Sequence, residues 1–138
     1  MTIGIATYKD AHFDGVDALW RKVFPDDPPR NRAANAIAAK LAVQPELILV
    51  ALSGDDVVGT TMAGYDGHRG WLYAVAVNPS HRGRGIGREL VAEAERRLAA
   101  LGCEKINLQV RSGNPVEAFY KRLGYAVEER VSMGKMLG

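Results

Sequence analysis

Only one cysteine, Cys103, occurs in the chain, so no disulfide can form within it, and a reducing compartment fits. No apolar run approaches the ~20 residues needed to span a bilayer. The first residues also lack the basic and apolar regions of a secretory signal. A cytoplasmic protein with no membrane partner is therefore expected. Charge of one sign is scarce too: 18 Lys and Arg against 16 Asp and Glu leave a formal net charge of +2. That balance gives no extended basic face, and no nucleic-acid partner is expected. The three histidines, His12, His68 and His81, lack metal-ligand spacing, so no metal is expected. No repeat, low-complexity tract or linker interrupts the 138 residues, which predicts one domain over residues 1–138 with a real core.

What is present reads as alternating short elements. Thr2 to Tyr8 has the pattern of a strand, and Asp10 can cap a helix carrying Phe13, Val16, Trp20, Val23 and Phe24 at helical spacing. Pro25-Asp26-Asp27-Pro28-Pro29 stops that helix, and an alanine-rich helix follows from about Asn31 to Val43. Glu46 to Leu52, Asp56 to Tyr65 and Trp71 to Val77 read as strands, separated by turns at Ser53-Gly54-Asp55 and Asp66-Gly67-His68-Arg69-Gly70. From Gly85 to Leu101 the residues Ile86, Leu90, Val91, Ala94, Leu98 and Leu101 form one helical stripe. Glu93 and Arg97 pair on its wet face, and Gly102 ends it. Lys105 to Arg111 is a predicted strand, Pro115 to Leu123 a helix, and Tyr125 to Met136 one or two closing strands. This order predicts a mixed α/β fold whose central sheet is antiparallel through the hairpins and parallel across the Gly85 helix, flanked by helices.

The most informative stretch is Asn78-Pro79-Ser80-His81-Arg82-Gly83-Arg84-Gly85-Ile86-Gly87-Arg88. It joins a strand to a long helix, and the first turn of a helix offers unpaired N–H donors and a partial positive charge to an anion. Gly83, Gly85 and Gly87 remove side chains that would keep a phosphate away from that backbone. His81, Arg82, Arg84 and Arg88 add positive charge. The stretch has no Gly-Lys-Ser/Thr ending of a P-loop, and no G-x-G-x-x-G that opens a dinucleotide-binding unit. What remains, Arg82-Gly83-Arg84-Gly85-Ile86-Gly87, resembles the acyl-CoA pyrophosphate loop of the GNAT family of N-acetyltransferases. The order of elements is also that of the family, so the likeness covers nearly the whole chain.

The resemblance implies a GNAT fold with splayed strands and acetyl-CoA as co-substrate. It places the pyrophosphate on the backbone from Arg82 through Gly83, Arg84, Gly85, Ile86, Gly87 and Arg88. It places the pantetheine against the backbone of Val75, Ala76 and Val77. A second matching segment, Asn114-Pro115-Val116-Glu117-Ala118-Phe119-Tyr120-Lys121-Arg122-Leu123-Gly124-Tyr125, implies a cofactor contact for Asn114 and a catalytic hydroxyl near the CoA sulfur for Tyr120. Asn114 stands six residues before Tyr120, where the family usually has seven. It could equally serve as a helix cap. A phenol of pKa about 10 is neutral at pH 7 and available to a departing thiolate of pKa about 8.5.

The acceptor and the general base are not legible. A lysine-like amine is deprotonated only about once in 2,500 at pH 7, whereas an α-amine of pKa about 7.8 loses only about 1 kcal/mol. Leu108-Gln109-Val110-Arg111 resembles the segment where acetyltransferases of ribosomal-protein N-termini have a glutamate, and here Gln109 cannot take a proton. Asp66, His68 or a relayed water are the candidates, and Asp26 and Asp27 hint at a cationic amine. The leading expectation is an N-acetyltransferase acting by direct attack in a ternary complex on a small-molecule or protein amine, with a homodimer compatible. The alternatives are a silent acyl-CoA-binding regulatory module and a nucleic-acid binder using the four positive loop residues. Cys103 reads as a small buried hydrophobe, not as a nucleophile.

Overall fold

The computed structural model describes residues 2–111 and 114–138. It contains strands β1 (Ile3–Thr7), β2 (Ile48–Ser53), β3 (Asp56–Tyr65), β4 (Gly70–Val77) and β5 (Ile106–Asn107). The helices are α1 (Phe13–Val23), α2 (Ala33–Leu41), α3 (Ile86–Ala100) and α4 (Glu117–Arg122). Two compact units are formed, Met1–Leu108 and Gln109–Gly138, and all five strands belong to the first. The sheet has the order β1-β2-β3-β4-β5, antiparallel as far as β4 and parallel between β4 and β5, as the pattern of hairpins and one crossover predicts. Among the described residues no helix is long and apolar enough to cross a membrane.

Each face of this sheet is covered for a sequence-level reason. On one face Val16, Leu19 and Trp20 of α1 and Ala33 and Ile37 of α2 pack with Ile48, Val50 and Ala76. On the other, Ile86, Leu90, Val91, Ala94 and Leu98 of α3 are all buried, which is the predicted stripe. Leu101 departs from it: it caps the helix and stays 46% exposed. Arg97 also departs from the expected wet pairing. Besides meeting Glu93 at 3.0 Å, its Nη1 donates to Thr7 Oγ1 and to the Glu46 carbonyl, both at 2.7 Å, so it ties α3 to the ends of β1 and β2.

Two glycines let backbones meet closely. A Cβ on Gly59 would lie 2.9 Å from Leu90 Cδ1, 3.1 Å from the Ala76 carbonyl oxygen and 3.2 Å from Ile86 Cγ2, so the start of α3 can sit directly on β3. A Cβ on Gly70 would lie 2.7 Å from Cys103 Sγ, with Leu98 and Ile106 also crowding it. Cys103 is thus a packing residue, although it is half-buried and not fully buried as its sequence context suggests, and its thiol donates to the Lys105 carbonyl at 3.3 Å. Gly70→Ala is expected to cost about 1–3 kcal/mol by overpacking. Gly70→Ala combined with Cys103→Ala should recover part of the lost melting temperature, which thermal unfolding of the two variants reads directly. An unchanged melting temperature in Gly70→Ala would show that the contact is not tight.

The second half of the chain is less regular than its pattern predicts. The strand expected over Lys105 to Arg111 is only Ile106–Asn107, and no strand forms over Tyr125 to Met136. A strand persists only within a ladder. The unit Gln109–Gly138 contains no other strand among its described residues to pair with, and the charged run Glu128-Glu129-Arg130 interrupts its apolar alternation. Val131 and Met133 consequently stay about nine-tenths exposed. The alanine-rich helix is also shorter than predicted, because Gln44 turns into the left-handed region at φ 56° before Pro45.

Candidate active site

The site begins at the outer edge of β4. Pairing with β5 consists of Gly70 with Ile106 and Trp71 with Asn107, while β4 itself continues to Val77. From Leu72 onward no strand pairs with that edge among the described residues. A bulge sits on this open stretch. Thr60 pairs with Ala76 and Met62 with Tyr73, so Thr61 faces two residues, Ala74 and Val75. Ala74 takes φ 48°, a conformation unusual for a residue with a Cβ.

Buried hydroxyls hold this bulge in place. Thr60 Oγ1 donates to the Ala74 carbonyl at 2.9 Å and accepts from the Trp20 indole N–H at 2.8 Å. Thr61 Oγ1 donates to the Tyr73 carbonyl at 3.4 Å. Both threonines are almost fully buried, and such hydroxyls need partners. Sequence reasoning missed Thr60, Thr61 and Ala74. The adjacent threonines inside an apolar strand were the available signal, since two buried hydroxyls demand acceptors that a regular ladder has already used.

Beyond Val77 the chain turns through a 3₁₀ segment, Pro79–His81. Asn78 Oδ1 accepts from the Ser80 backbone N–H at 3.1 Å and its hydroxyl at 3.0 Å, and Ser80 Oγ lies 2.9 Å from His81 Nδ1. The loop that follows is glycine-dependent, as the motif predicts. Gly83 has φ 79° and Gly85 φ 77°, and a Cβ at either position would meet nothing within 4 Å. Backbone conformation, not crowding, therefore selects glycine here. Gly85 is the N-cap of α3 and supplies no side-chain cap, so the first N–H groups of this helix keep their hydrogen-bonding capacity. Arg82, Arg84 and Arg88 are exposed around them, whereas Ile86 and Gly87 are buried and can contribute only backbone. Val75, Ala76 and Val77 lie on the open edge that runs into this loop.

Asn114 and Tyr120 belong to the second unit. Asn114 Oδ1 accepts from the Val116 N–H at 3.2 Å, a local turn ahead of α4. The N-cap of that helix is Val116, so Asn114 does not take the capping role its residue type allows. Tyr120 packs edge-on against Phe119 at 5.0 Å and Tyr125 at 5.9 Å, and burial raises its phenol above the ordinary tyrosine range. Gln109 donates to Ser132 Oγ.

Of the proposed bases, Asp66 has a structural occupation. Its Oδ1 accepts from the backbone N–H of Arg69 at 2.7 Å and of His68 at 2.8 Å, and these bonds hold its carboxyl below the usual range. Bound that way it is a turn residue and a weak base. His68 is exposed in the same turn. Among the described residues no cluster of His, Cys, Asp and Glu is gathered for a metal.

The chain is similar to known proteins. The Acetyltransferase (GNAT) family model matches residues 11–125. An acetyltransferase of Pectobacterium atrosepticum is 39% identical over 136 residues, covering 96% of this chain and 94% of that protein. One from Sodalis glossinidius is 41% identical with the same coverage. Among solved structures, a putative acetyltransferase from Agrobacterium tumefaciens superposes with TM-score 0.80 at 25% identity, covering 96% of this chain and 99% of that one. The PaiA N-acetyltransferase from Thermoplasma acidophilum in complex with coenzyme A gives 0.81 at 18% identity, covering 95% and 94%.

Proposed function

Because the chain belongs to the GNAT acetyltransferase family, we propose that it moves the acetyl group of acetyl-CoA to a primary amine by direct attack in a ternary complex. The observation that carries this reading is one continuous feature: a bulged edge of β4 leading through two left-handed glycines into a helix start without a side-chain cap. Backbone N–H groups from Gly83 to Arg88 hold the pyrophosphate, with Arg82, Arg84 and Arg88 balancing its charge. The free edge of Val75, Ala76 and Val77 takes the pantetheine amides as a strand would. That the same fold holds coenzyme A in the Thermoplasma acidophilum PaiA protein supports this placement.

The acceptor nitrogen, once neutral, attacks the thioester carbonyl carbon, forming the new C–N bond. The C–S bond then breaks, and the Tyr120 hydroxyl gives hydrogen-bond or proton assistance to the departing sulfur. With Asp66 occupied by its turn, the proton from the amine passes to water, which suits an acceptor whose pKa lies near neutrality. Asn114 is proposed as a further cofactor contact through its amide N–H₂, since its Oδ1 already serves Val116.

Calorimetric titration with acetyl-CoA, followed by thiol release across an amine panel, tests the proposal. Binding and transfer together are the expected result. Binding without transfer to any amine would make the protein an acyl-CoA-binding module, and absence of binding would remove the reading altogether. In the same assay Cys103→Ala should keep transfer within a few-fold. Mass spectrometry that finds acetyl on Cys103 at kinetically competent rates would replace direct attack with a covalent route.

A further inference from the structure

Lys40, in the last turn of α2, reaches across the sheet to β3. A Cβ placed on Gly64 would lie 3.6 Å from Lys40 Nζ, 3.8 Å from Tyr73 Cε2 and 3.9 Å from Gln44 Oε1, so the ammonium and the phenol ring flank one side-chain-free position. The ladder explains the meeting. Met62 packs into the α1–α2 core and pairs with Tyr73, and Gly64 pairs with Trp71, so all four share the face covered by those helices. Gln44 fixes the spacing: its side chain accepts from the Tyr65 N–H at 2.9 Å and donates to the Tyr65 carbonyl at 3.0 Å. The end of α2 is thereby clamped to the end of β3.

Three properties make this pair more than covering polar surface. Lys40 is half-buried, and among the described residues no hydrogen bond or ion pair ties down its ammonium. Burial lowers it below the ordinary lysine range, and Glu46 only partly opposes that shift. Tyr73 is 49% exposed and stands immediately before the bulged residue Ala74. On the reading proposed above, the thioester lies along this bulged edge, so Lys40 and Tyr73 face the side from which an acceptor reaches it.

The geometry points to an acceptor subsite in which Lys40 Nζ and the Tyr73 hydroxyl bind a carboxylate carried by the amine substrate, making an amino acid or similar amino carboxylate the acceptor class. The position above Gly64 is flanked by the Lys40 ammonium and by the ring of Tyr73. Burial and the Asp66 carboxylate keep that phenol protonated, so it can donate while the ammonium supplies the charge that a carboxylate needs. A carboxylate beside Lys40 would also restore to the ammonium the stabilisation it loses by leaving water.

Amine pairs differing only in a carboxylate, such as phenylalanine with phenethylamine and lysine with cadaverine, provide the test. Wild-type protein should favour the carboxylate member in kcat/KM, and Lys40→Met should cut that preference roughly ten- to a hundredfold. Lys40→Arg should restore part of it. An unaltered preference in Lys40→Met, or none in the wild type, would overturn the inference, as would acetyl found on Lys40 itself. A second measurement does not depend on turnover. Propionate titrated into ¹⁵N-labelled protein, with and without CoA, should shift the Gly64, Tyr65 and Tyr73 amides in the wild type and leave them in place in Lys40→Met. No shift in the wild type would end the proposal even if CoA binds. Shifts in a protein that fails to bind CoA would instead sink only the transferase reading.

Discussion

Gly85→Val is expected to abolish acetyl-CoA binding while leaving the sheet and α3 folded. At φ 77° a β-branched residue is strained by about 1–3 kcal/mol, and the loop relieves this by leaving the left-handed region. No core contact is lost, because a Cβ at this position meets nothing within 4 Å. The N–H groups ahead of α3 would then no longer converge on one point. Gly102→Val supplies the control: Gly102 has φ 92° at the opposite end of α3, with similarly open surroundings. It should show similar strain with CoA affinity intact. Calorimetry showing equal CoA affinity for wild type and a folded Gly85→Val would refute the loop assignment.

Tyr120→Phe should lower kcat by about 10²-fold, near the bottom of the range for general acid catalysis, with KM for acetyl-CoA little changed. The effect falls at the lower end because burial raises the phenol, and a weaker acid transfers its proton less readily to a thiolate of pKa about 8.5. The same shift keeps the hydroxyl protonated across the neutral range, so the defect should not vary between pH 6 and 9. Phenylalanine keeps the edge-on ring contacts with Phe119 and Tyr125, which separates chemistry from packing. The defect should shrink for thioesters with a more acidic leaving thiol. Equal kcat in the two proteins, or a defect confined to acetyl-CoA affinity, would remove Tyr120 from the reaction.

The parts of this fold that can be read from the chain are those governed by neighbours in sequence. Hydrophobic spacing locates α1 and α3, and the turns at Gly54 and Gly67 locate the hairpins. Gly83 and Gly85 mark the loop before α3, because positive φ there is a local demand that only glycine meets cheaply. The bulge was not legible, since Ala74 is held by Thr60, which is held in turn by Trp20, forty positions away. Gly59 and Gly70 are plain strand glycines until α3 and Cys103 are brought against them. The closing strands fail for another reason: Glu129 breaks the alternation of Val127, Val131 and Met133, and a strand exists only where a partner does. The proposed acceptor subsite is not legible because tertiary packing alone brings Lys40 and Tyr73 beside Gly64.

The open margin of β4 has a consequence for the protein when it stands empty. A row of free backbone donors and acceptors is a template on which a strand of another molecule can pair, and sheet proteins carry this as an aggregation hazard. Here the stretch without a strand partner among the described residues is short and is broken by the kink at Ala74, which no straight incoming strand can follow in register. The irregularity of this margin makes it a poor seed for fibrils.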